Sequence, residues 1–102
     1  MFDRAHFDHM TGGDLALQAE VLALFRQQVT GWRAQFEAGR EWRDAVHTMK
    51  GSARGIGLIA LAEACEAAEA APEAAQPEAL ANVLAALEAA LEALERFAAD
   101  AA

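Results

Sequence analysis

The stretch HTMKGSARGIGLIALAEACEAAE, residues 47–69, decides the fold, because it predicts two helices joined by a tight turn at Gly57. Apolar or small residues recur at helical spacing on both sides of that glycine: Met49, Ala53 and Ile56 before it, and Leu58, Leu61, Ala62 and Cys65 after it. Gly57 supplies a C-cap for the first of these helices, which is predicted to begin around Arg40 or Glu41. The second is predicted to run from Leu58 to about Ala71.

Three further helices are predicted outside this hairpin. A short one starts at Asp3 as N-cap and runs to Met10, where a Thr-Gly-Gly turn follows. A long amphipathic helix runs from the N-cap Asp14 to about Gly39, with the inward stripe Leu15, Leu22, Phe25, Val29, Trp32 and Phe36. The last helix has Pro77 in its first turn and the predicted inward stripe Leu80, Leu84, Leu87, Leu91, Leu94 and Ala98.

The composition agrees with an all-α protein. The chain has 102 residues, of which 55% are hydrophobic and 24% charged, with no tyrosine and abundant Ala, Leu and Glu. Four substantial helices that each carry one apolar stripe bury those stripes best against one another. We therefore expect residues 1–102 to form a single domain, an antiparallel four-helix bundle with a short N-terminal capping helix, and we expect it to be a monomer.

Charge and cysteine content exclude several classes of function. Sixteen acidic and eight basic residues give a net charge of −8, so phosphate backbones would repel the chain and nucleic acid is not expected as a partner. A single cysteine, Cys65, allows no internal disulfide, and its place on an apolar stripe predicts a buried small side chain. Since no apolar run resembles a signal peptide or a membrane span, we expect no membrane association and a cytoplasmic location.

Gly51 is the unexpected residue in the first hairpin helix, since glycine inside a helix costs about 1 kcal/mol relative to alanine. Side chains at positions i+3 and i+4 lean back over position i. Lys50 and Gly51 hold these positions relative to His47. The pattern therefore predicts an uncovered imidazole with an ammonium group close by.

Basic residues are concentrated around this histidine. Arg40, Arg43, His47, Lys50 and Arg54 fall on one side of the predicted helix, and no acidic residue lies between Asp44 and Glu63. In a protein of net charge −8, such a patch favours a local anion site, and a phosphoryl group is the anion that suits a histidine beside a lysine. For the three arginines, an ordinary solvated helix face explains the pattern equally well.

Glu69 is the second candidate, because it continues the apolar spacing of the following helix and a carboxylate there needs a partner. His47 lies ten residues before Gly57 and Glu69 twelve after it, so a hairpin brings them to about the same level. Glu69 is then expected to accept a hydrogen bond from Nδ1–H of His47. That bond would leave the Nε2 lone pair outward as a nucleophile.

The pattern H-x-x-K-G-S-A-x-x-x-G-x-x-x-L-x-x-x-C-x-x-x-E, from His47 to Glu69, resembles the signature of the histidine-containing phosphotransfer (HPt) domain. The helix pattern is similar to that family across nearly the whole chain. The resemblance implies a bundle that relays phosphoryl groups between receiver-domain aspartates in two-component phosphorelays. It implies that His47 accepts the group at Nε2, that Lys50 steadies the phosphate, that Gly51 gives access and that Glu69 orients the imidazole.

The resemblance also implies the partners and the cofactors. The expected partners are receiver domains, one of a hybrid histidine kinase and one of a response regulator. Members of the family lack a nucleotide site, so the protein is expected to be a phosphoryl carrier and not a classical enzyme. No cofactor is expected on this chain, and Mg²⁺ is expected on the partner receiver. The resemblance implies a phosphorelay of the bacterial type. A start at Met1 and a ragged alanine C-terminus favour a free-standing protein.

Two other functions compete with the carrier. A helical adaptor that binds receiver or kinase domains without carrying phosphate is the alternative, although an adaptor has no need for glycine beside a histidine. A metal-dependent hydrolase would need several inward ligands at repeated helical spacing, and His6 with His9 supply too few. For the docking surface of a carrier, Leu58 and Phe7 or Met10 are the predicted apolar contacts.

Overall fold

The computed structural model describes residues 2–39 and 42–101, and within them the chain forms five α-helices. Their bounds are α1 Arg4–Thr11, α2 Leu15–Ala38, α3 Trp42–Ile56, α4 Ile59–Ala70 and α5 Gln76–Ala101, with a 3₁₀ turn at Glu73–Ala75 before α5. Helices α2 to α5 form the predicted antiparallel four-helix bundle, and α1 covers one end. The predicted start of the third helix at Arg40 or Glu41 lies outside the described residues.

The helix ends follow the predicted capping residues. The side chain of Asp3 accepts a hydrogen bond from the His6 amide at 3.0 Å, and that of Asp14 accepts one from the Leu17 amide at 3.1 Å. Each bond satisfies a backbone donor that the first turn of a helix leaves without a partner. Helix α2 ends at Gly39, whose left-handed backbone, with φ of +68°, suits glycine.

The centre of the core lies between α3 and α4. Val46, Met49 and Ala53 of α3 are fully buried, as are Cys65 and Ala68 of α4. The predicted inward stripe of α2 is confirmed as buried from Leu22 to Trp32. The prediction that Leu15 also faces inward is wrong. Leu15 directly follows the cap of α2 and is exposed, because no other helix packs over that position. None of the described helices has both the length and the apolar content needed to cross a bilayer.

The buried stripe of α5 differs from the predicted one. The residues that the bundle buries are Val83, Leu87, Ala90, Leu94 and Phe97. Leu84 and Ala98, which were predicted to face inward, are exposed. Alanine and leucine occupy neighbouring stripes of this helix, so hydrophobicity alone does not choose between them. Phe97 decides the rotation, because its ring packs against Phe2 and Phe7 with centroids 5.4 Å away in both cases.

Helix α1 is fixed at the end of the bundle where α3 turns into α4. The Asp3 amide donates to the Gly57 carbonyl at 2.8 Å. Gly57 has a φ of +96°, and a Cβ on it would lie 2.9 Å from the Asp3 carbonyl oxygen. Both facts require glycine at this turn. Counting back from Gly57 at 1.5 Å per residue places His47 about 15 Å from this end, along the side of the bundle.

Candidate functional site

His47 lies on the outer face of α3 with 72% of its side chain exposed. Gly51, one turn later, is in ordinary helical conformation, and a Cβ built on it would meet no atom within 4 Å. Neither the backbone nor the packing therefore requires glycine at position 51. The missing side chain leaves open space beside the imidazole, as the sequence pattern predicts.

The imidazole is held from α4 by Glu69. Nδ1 of His47 lies 3.2 Å from Oε2 of Glu69. The pKa of Glu69 is lowered, first by its hydrogen bond with Lys50 and also by that with His47, although partial burial opposes the shift. An ionised carboxylate only accepts hydrogen bonds, so Nδ1 is the donor and carries the proton. The Nε2 lone pair then points away from Glu69.

Lys50 is bound to the same carboxylate. Its Nζ lies 2.7 Å from Oε1 of Glu69, and only 17% of its side chain is exposed. The sequence pattern places this ammonium near whatever binds to the imidazole, whereas in the structure it pairs with the oxygen of Glu69 that His47 does not use. One carboxylate of α4 thus joins two side chains of α3. Glu69 itself is 29% exposed.

Cys65 of α4 lies close enough to Lys50 and Glu69 for both charges to act on its thiol. The thiol is fully buried, and burial together with the nearby charge of Glu69 raises its pKa to about 11, while the charge of Lys50 acts in the opposite direction. The predicted burial of Cys65 is confirmed.

Other basic residues of the predicted patch also have partners. The guanidinium of Arg54 approaches Glu66 of α4 with 3.5 Å between Nη2 and Oε2, and that of Arg43 lies over the ring of Trp42. Arg40 lies outside the described residues. The basic residues in the part of α3 that lacks acidic residues therefore pair with carboxylates of α4. Glu66 and Glu69 are three residues apart and Lys50 and Arg54 are four apart, which is about one helical turn in each case. An antiparallel hairpin can therefore pair them, and this signal could have revealed the pairing.

An apolar groove of about 460 Å³ runs beside this face of α3. Its exposed apolar members are Met10, Leu17 and Leu24, and Ser52 and Gly55 border it on α3. Ser52 Oγ donates to Oε1 of Gln28 on α2 at 3.1 Å, which joins the groove to the helix that bears His47. No sequence signal pointed to this link.

The prediction that Phe7 and Leu58 belong to the docking surface is wrong, because each is only 1% exposed. Phe7 belongs to the aromatic cluster that fixes α1, and Leu58 pairs with Phe2 where the chain passes the turn. Met10, the other predicted contact, is exposed. Within residues 2–39 and 42–101, no three His, Cys, Asp or Glu side chains converge as metal ligands.

Two comparisons with known proteins point to the same family. A family model described as the Hpt domain matches residues 15–97. The crystal structure of the histidine phosphotransferase ShpA from Caulobacter crescentus is similar to this chain, with 42% sequence identity and a TM-score of 0.82. The match covers 97% of this chain and 91% of that one. No match was found among curated proteins.

Proposed function

This chain belongs to the Hpt domain family, and from that premise we propose that it carries phosphoryl groups on His47 between the aspartates of receiver domains. The observation that supports this most strongly is the exposed imidazole whose Nδ1 is bound to Glu69, since it leaves Nε2 free to react. The proposal includes the setting expected from the sequence, a cytoplasmic monomer that serves a hybrid histidine kinase and a response regulator.

The proposed chemistry is one substitution at phosphorus. The Nε2 lone pair of His47 attacks the phosphorus of a receiver's aspartyl phosphate, the N–P bond forms, and the bond to the aspartate oxygen breaks with its electron pair. The receiver regains its carboxylate, and the imidazole ring acquires positive charge while keeping the Nδ1 proton. Oε2 of Glu69, already at that proton, stabilises the charged ring. Transfer to the next receiver is the reverse reaction.

Most of what this chain contributes is position, as is usual in phosphoryl transfer. Gly51 leaves room for the receiver's phosphorylated aspartate to approach along the helix surface. Mg²⁺ is proposed to be held by the receiver, where it would neutralise the phosphoryl oxygens. The direct contact of Lys50 with phosphate remains a prediction, because in the unphosphorylated protein its ammonium is engaged by Glu69.

The groove beside α3 is the proposed docking surface. It exposes Leu24 and Met10 to solvent and is connected to α3 through the bond between Gln28 and Ser52. A receiver that reaches Nε2 of His47 would lie against α3, the helix whose residues Ser52 and Gly55 border this groove. Apolar contacts next to the reacting group would hold it there without adding charge to an already acidic protein.

The test is transfer from a receiver domain phosphorylated with labelled phosphate, using the wild-type protein and His47→Gln. We expect an acid-labile, alkali-stable label on the wild type and none on the variant. His6→Gln is the control, since it removes a different histidine and should leave labelling intact. Equal labelling of wild type and His47→Gln would exclude His47 as the acceptor. Binding without labelling, across several receivers, would favour the adaptor function instead.

A further inference from the structure

We propose that Gln18 positions the last turn of α1 on α2, and that it thereby fixes Met10 as one wall of the apolar groove. The importance of this wall rests on the proposed function, in which the groove docks a receiver. The hold on α1 is a property of the unbound protein. Gln18 thus acts on docking through Met10.

Gln18 and Thr11 are the polar residues that the fold buries among those that the structure describes, with 3% and 7% of their surfaces exposed. Burying an amide costs free energy unless its hydrogen bonds are made. Methionine or leucine would fill a similar space without that cost. What an amide adds to apolar packing is a contact that depends on direction, so Gln18 is suited to fix an orientation.

The hydrogen bonds of Gln18 cross from α2 to α1. Its Nε2 donates to Oδ1 of Asp8 and to Oγ of Thr11, both at 2.9 Å. The Thr11 hydroxyl in turn donates to the Phe7 carbonyl oxygen at 2.8 Å, so its own proton is used within α1. Both partners therefore offer Gln18 an acceptor, and the two hydrogens of one amide nitrogen satisfy them.

The last turn of α1 needs such contacts because the link to α2 does not set its direction. Gly12 and Gly13 form that link with φ of +62° and +72°, and glycine adopts many other conformations as readily. The first turn of α1 is held where the Asp3 amide donates to Gly57, and Phe7 packs in the aromatic cluster. A helix of eight residues is not stable alone, so tertiary contacts decide where its last turn lies.

The residues that Gln18 holds belong to the wall of the groove. Thr11 follows Met10 in the chain and Gln18 follows Leu17, and Met10, Thr11 and Leu17 all line the groove. Met10 is 55% exposed, so much of its side chain is open to a partner. Without the bonds of Gln18, Phe7 would still anchor α1, but the turn that carries Met10 could shift and the groove would lose its fixed width.

Hydrogen exchange of backbone amides, followed by NMR in the unphosphorylated protein, tests the hold on α1. Gln18→Met keeps a side chain of similar length and removes both donors. We expect the Met10 and Thr11 amides to exchange about tenfold faster in this variant, while the Met49 amide in α3 keeps its rate. Thr11→Val should speed the same two amides, whereas Thr11→Ser, which keeps the hydroxyl, should not.

Transfer kinetics test the consequence for docking. Gln18→Met should raise the KM for a phosphorylated receiver about fivefold and leave the maximal rate unchanged, because the lost hydrogen bonds concern docking and not the reaction at His47. Gln35→Met is the matched control, since it makes the same substitution on α2 outside the groove, and it should keep the wild-type KM. In a Met10→Ala protein, Gln18→Met should add little, because Gln18 acts through Met10.

Wild-type exchange rates in Gln18→Met would overturn the proposal. An unchanged KM would do the same, and so would effects of Met10→Ala and Gln18→Met that simply add. If Gln18→Met no longer unfolds cooperatively, the two Thr11 variants decide, and equal exchange rates in Thr11→Val and Thr11→Ser would count against the proposal. Faster exchange in a protein that no receiver phosphorylates would support the hold on α1 and contradict the proposed function.

Discussion

At the scale of single residues, Gly51 is the position where we expect a substitution to change stability and transfer in opposite directions. It lies inside α3 with helical backbone and with nothing within 4 Å of the place where a Cβ would stand. A glycine that the fold does not need lowers helix stability, and we propose that it stands beside His47 to keep the approach to the ring open. This reasoning gives opposite expectations for stability and for transfer.

We expect Gly51→Ala to raise the free energy of unfolding by about 0.5–1 kcal/mol, because alanine loses less backbone entropy than glycine in a helix. Transfer from a phosphorylated receiver should slow modestly in Gly51→Ala and about tenfold or more in Gly51→Gln, since the longer side chain covers the approach to Nε2. Urea unfolding and transfer rates provide the measurements.

Gly31→Ala is the control for this pair, because Gly31 lies in α2 with equally open surroundings. It should gain the same stability and transfer at the wild-type rate. If Gly51→Gln transfers as fast as the wild type, the glycine has no role in access.

Cys65 gives a second prediction at this scale. Burial raises the pKa of its thiol to about 11, so almost no thiolate is present at about pH 8. We expect no reaction with maleimide or disulfide reagents at that pH in native protein, and full reaction in urea. Rapid modification of the folded protein would contradict the burial of Cys65.

The residues around His47 also show what the sequence could predict. Counting from the turn at Gly57 was enough to bring His47 and Glu69 to the same level, because a hairpin fixes that register. It was not enough to place the ammonium of Lys50, since a lysine has four rotatable bonds and reaches either neighbour. Counting residues from the turn could not predict the burial of Phe7 and Leu58 either, because that burial depends on α1 folding back over the turn.

At the scale of helices, the α3–α4 hairpin depends on Gly57. Its φ of +96° opposes any other residue, and so does the Asp3 carbonyl oxygen, which would lie only 2.9 Å from a Cβ at this position. We expect Gly57→Ala to lower the free energy of unfolding by about 1–3 kcal/mol, the cost of a strained backbone conformation. This sign is opposite to that of Gly51→Ala, and urea unfolding of both variants checks it. A Gly57→Ala protein as stable as the wild type would contradict the described turn.

The Glu69 carboxylate links α3 and α4 in a pH-dependent way. Its pKa in the folded protein lies below the ordinary value of 4.5, mainly because of Lys50. A carboxyl group with a lowered pKa contributes stability that is fully present above its ordinary value and is lost as the pH falls through the folded value. We therefore expect wild type to be more stable than Glu69→Gln at about pH 7, with the difference shrinking below about pH 4.5.

Urea unfolding of both proteins between about pH 3 and pH 7 measures this difference. Glu66→Gln is the control, since Glu66 meets Arg54 at the exposed surface and such pairs contribute little. A difference between wild type and Glu69→Gln that does not change with pH would mean that the carboxylate gains nothing from its charge.

Helix α5 shows why it was easier to predict that a helix forms than to predict which of its faces is buried. Its start near Pro77 and its length follow from local signals, namely the proline and the continuous run of helix formers. Its buried face depends on which of two apolar stripes meets the rest of the bundle. Phe97 settles that choice through contacts with Phe2 and Phe7, which are distant in the sequence.

At the scale of the whole molecule, an acidic protein has an apolar groove lined by residues of α1, α2 and α3. Leu24, 60% exposed, belongs to this groove. We expect Leu24→Asp to raise the KM for a phosphorylated receiver about tenfold, the equivalent of about 1.4 kcal/mol, with little change in maximal rate or stability. Leu84→Asp is the control, because Leu84 is also exposed but lies on α5 outside the groove. Equal effects of the two variants on the KM would mean that the docking surface does not include the groove.

The proposed function depends above all on Nε2 of His47 receiving the phosphoryl group, and NMR of the phosphorylated protein with ¹⁵N-labelled histidine determines whether it does. The spectra give the coupling between phosphorus and each imidazole nitrogen. We predict coupling to Nε2 of His47, with the proton retained on Nδ1 opposite Glu69. Coupling to Nδ1, to His6 or to His9, or phosphate bound to no histidine, would contradict the proposed function.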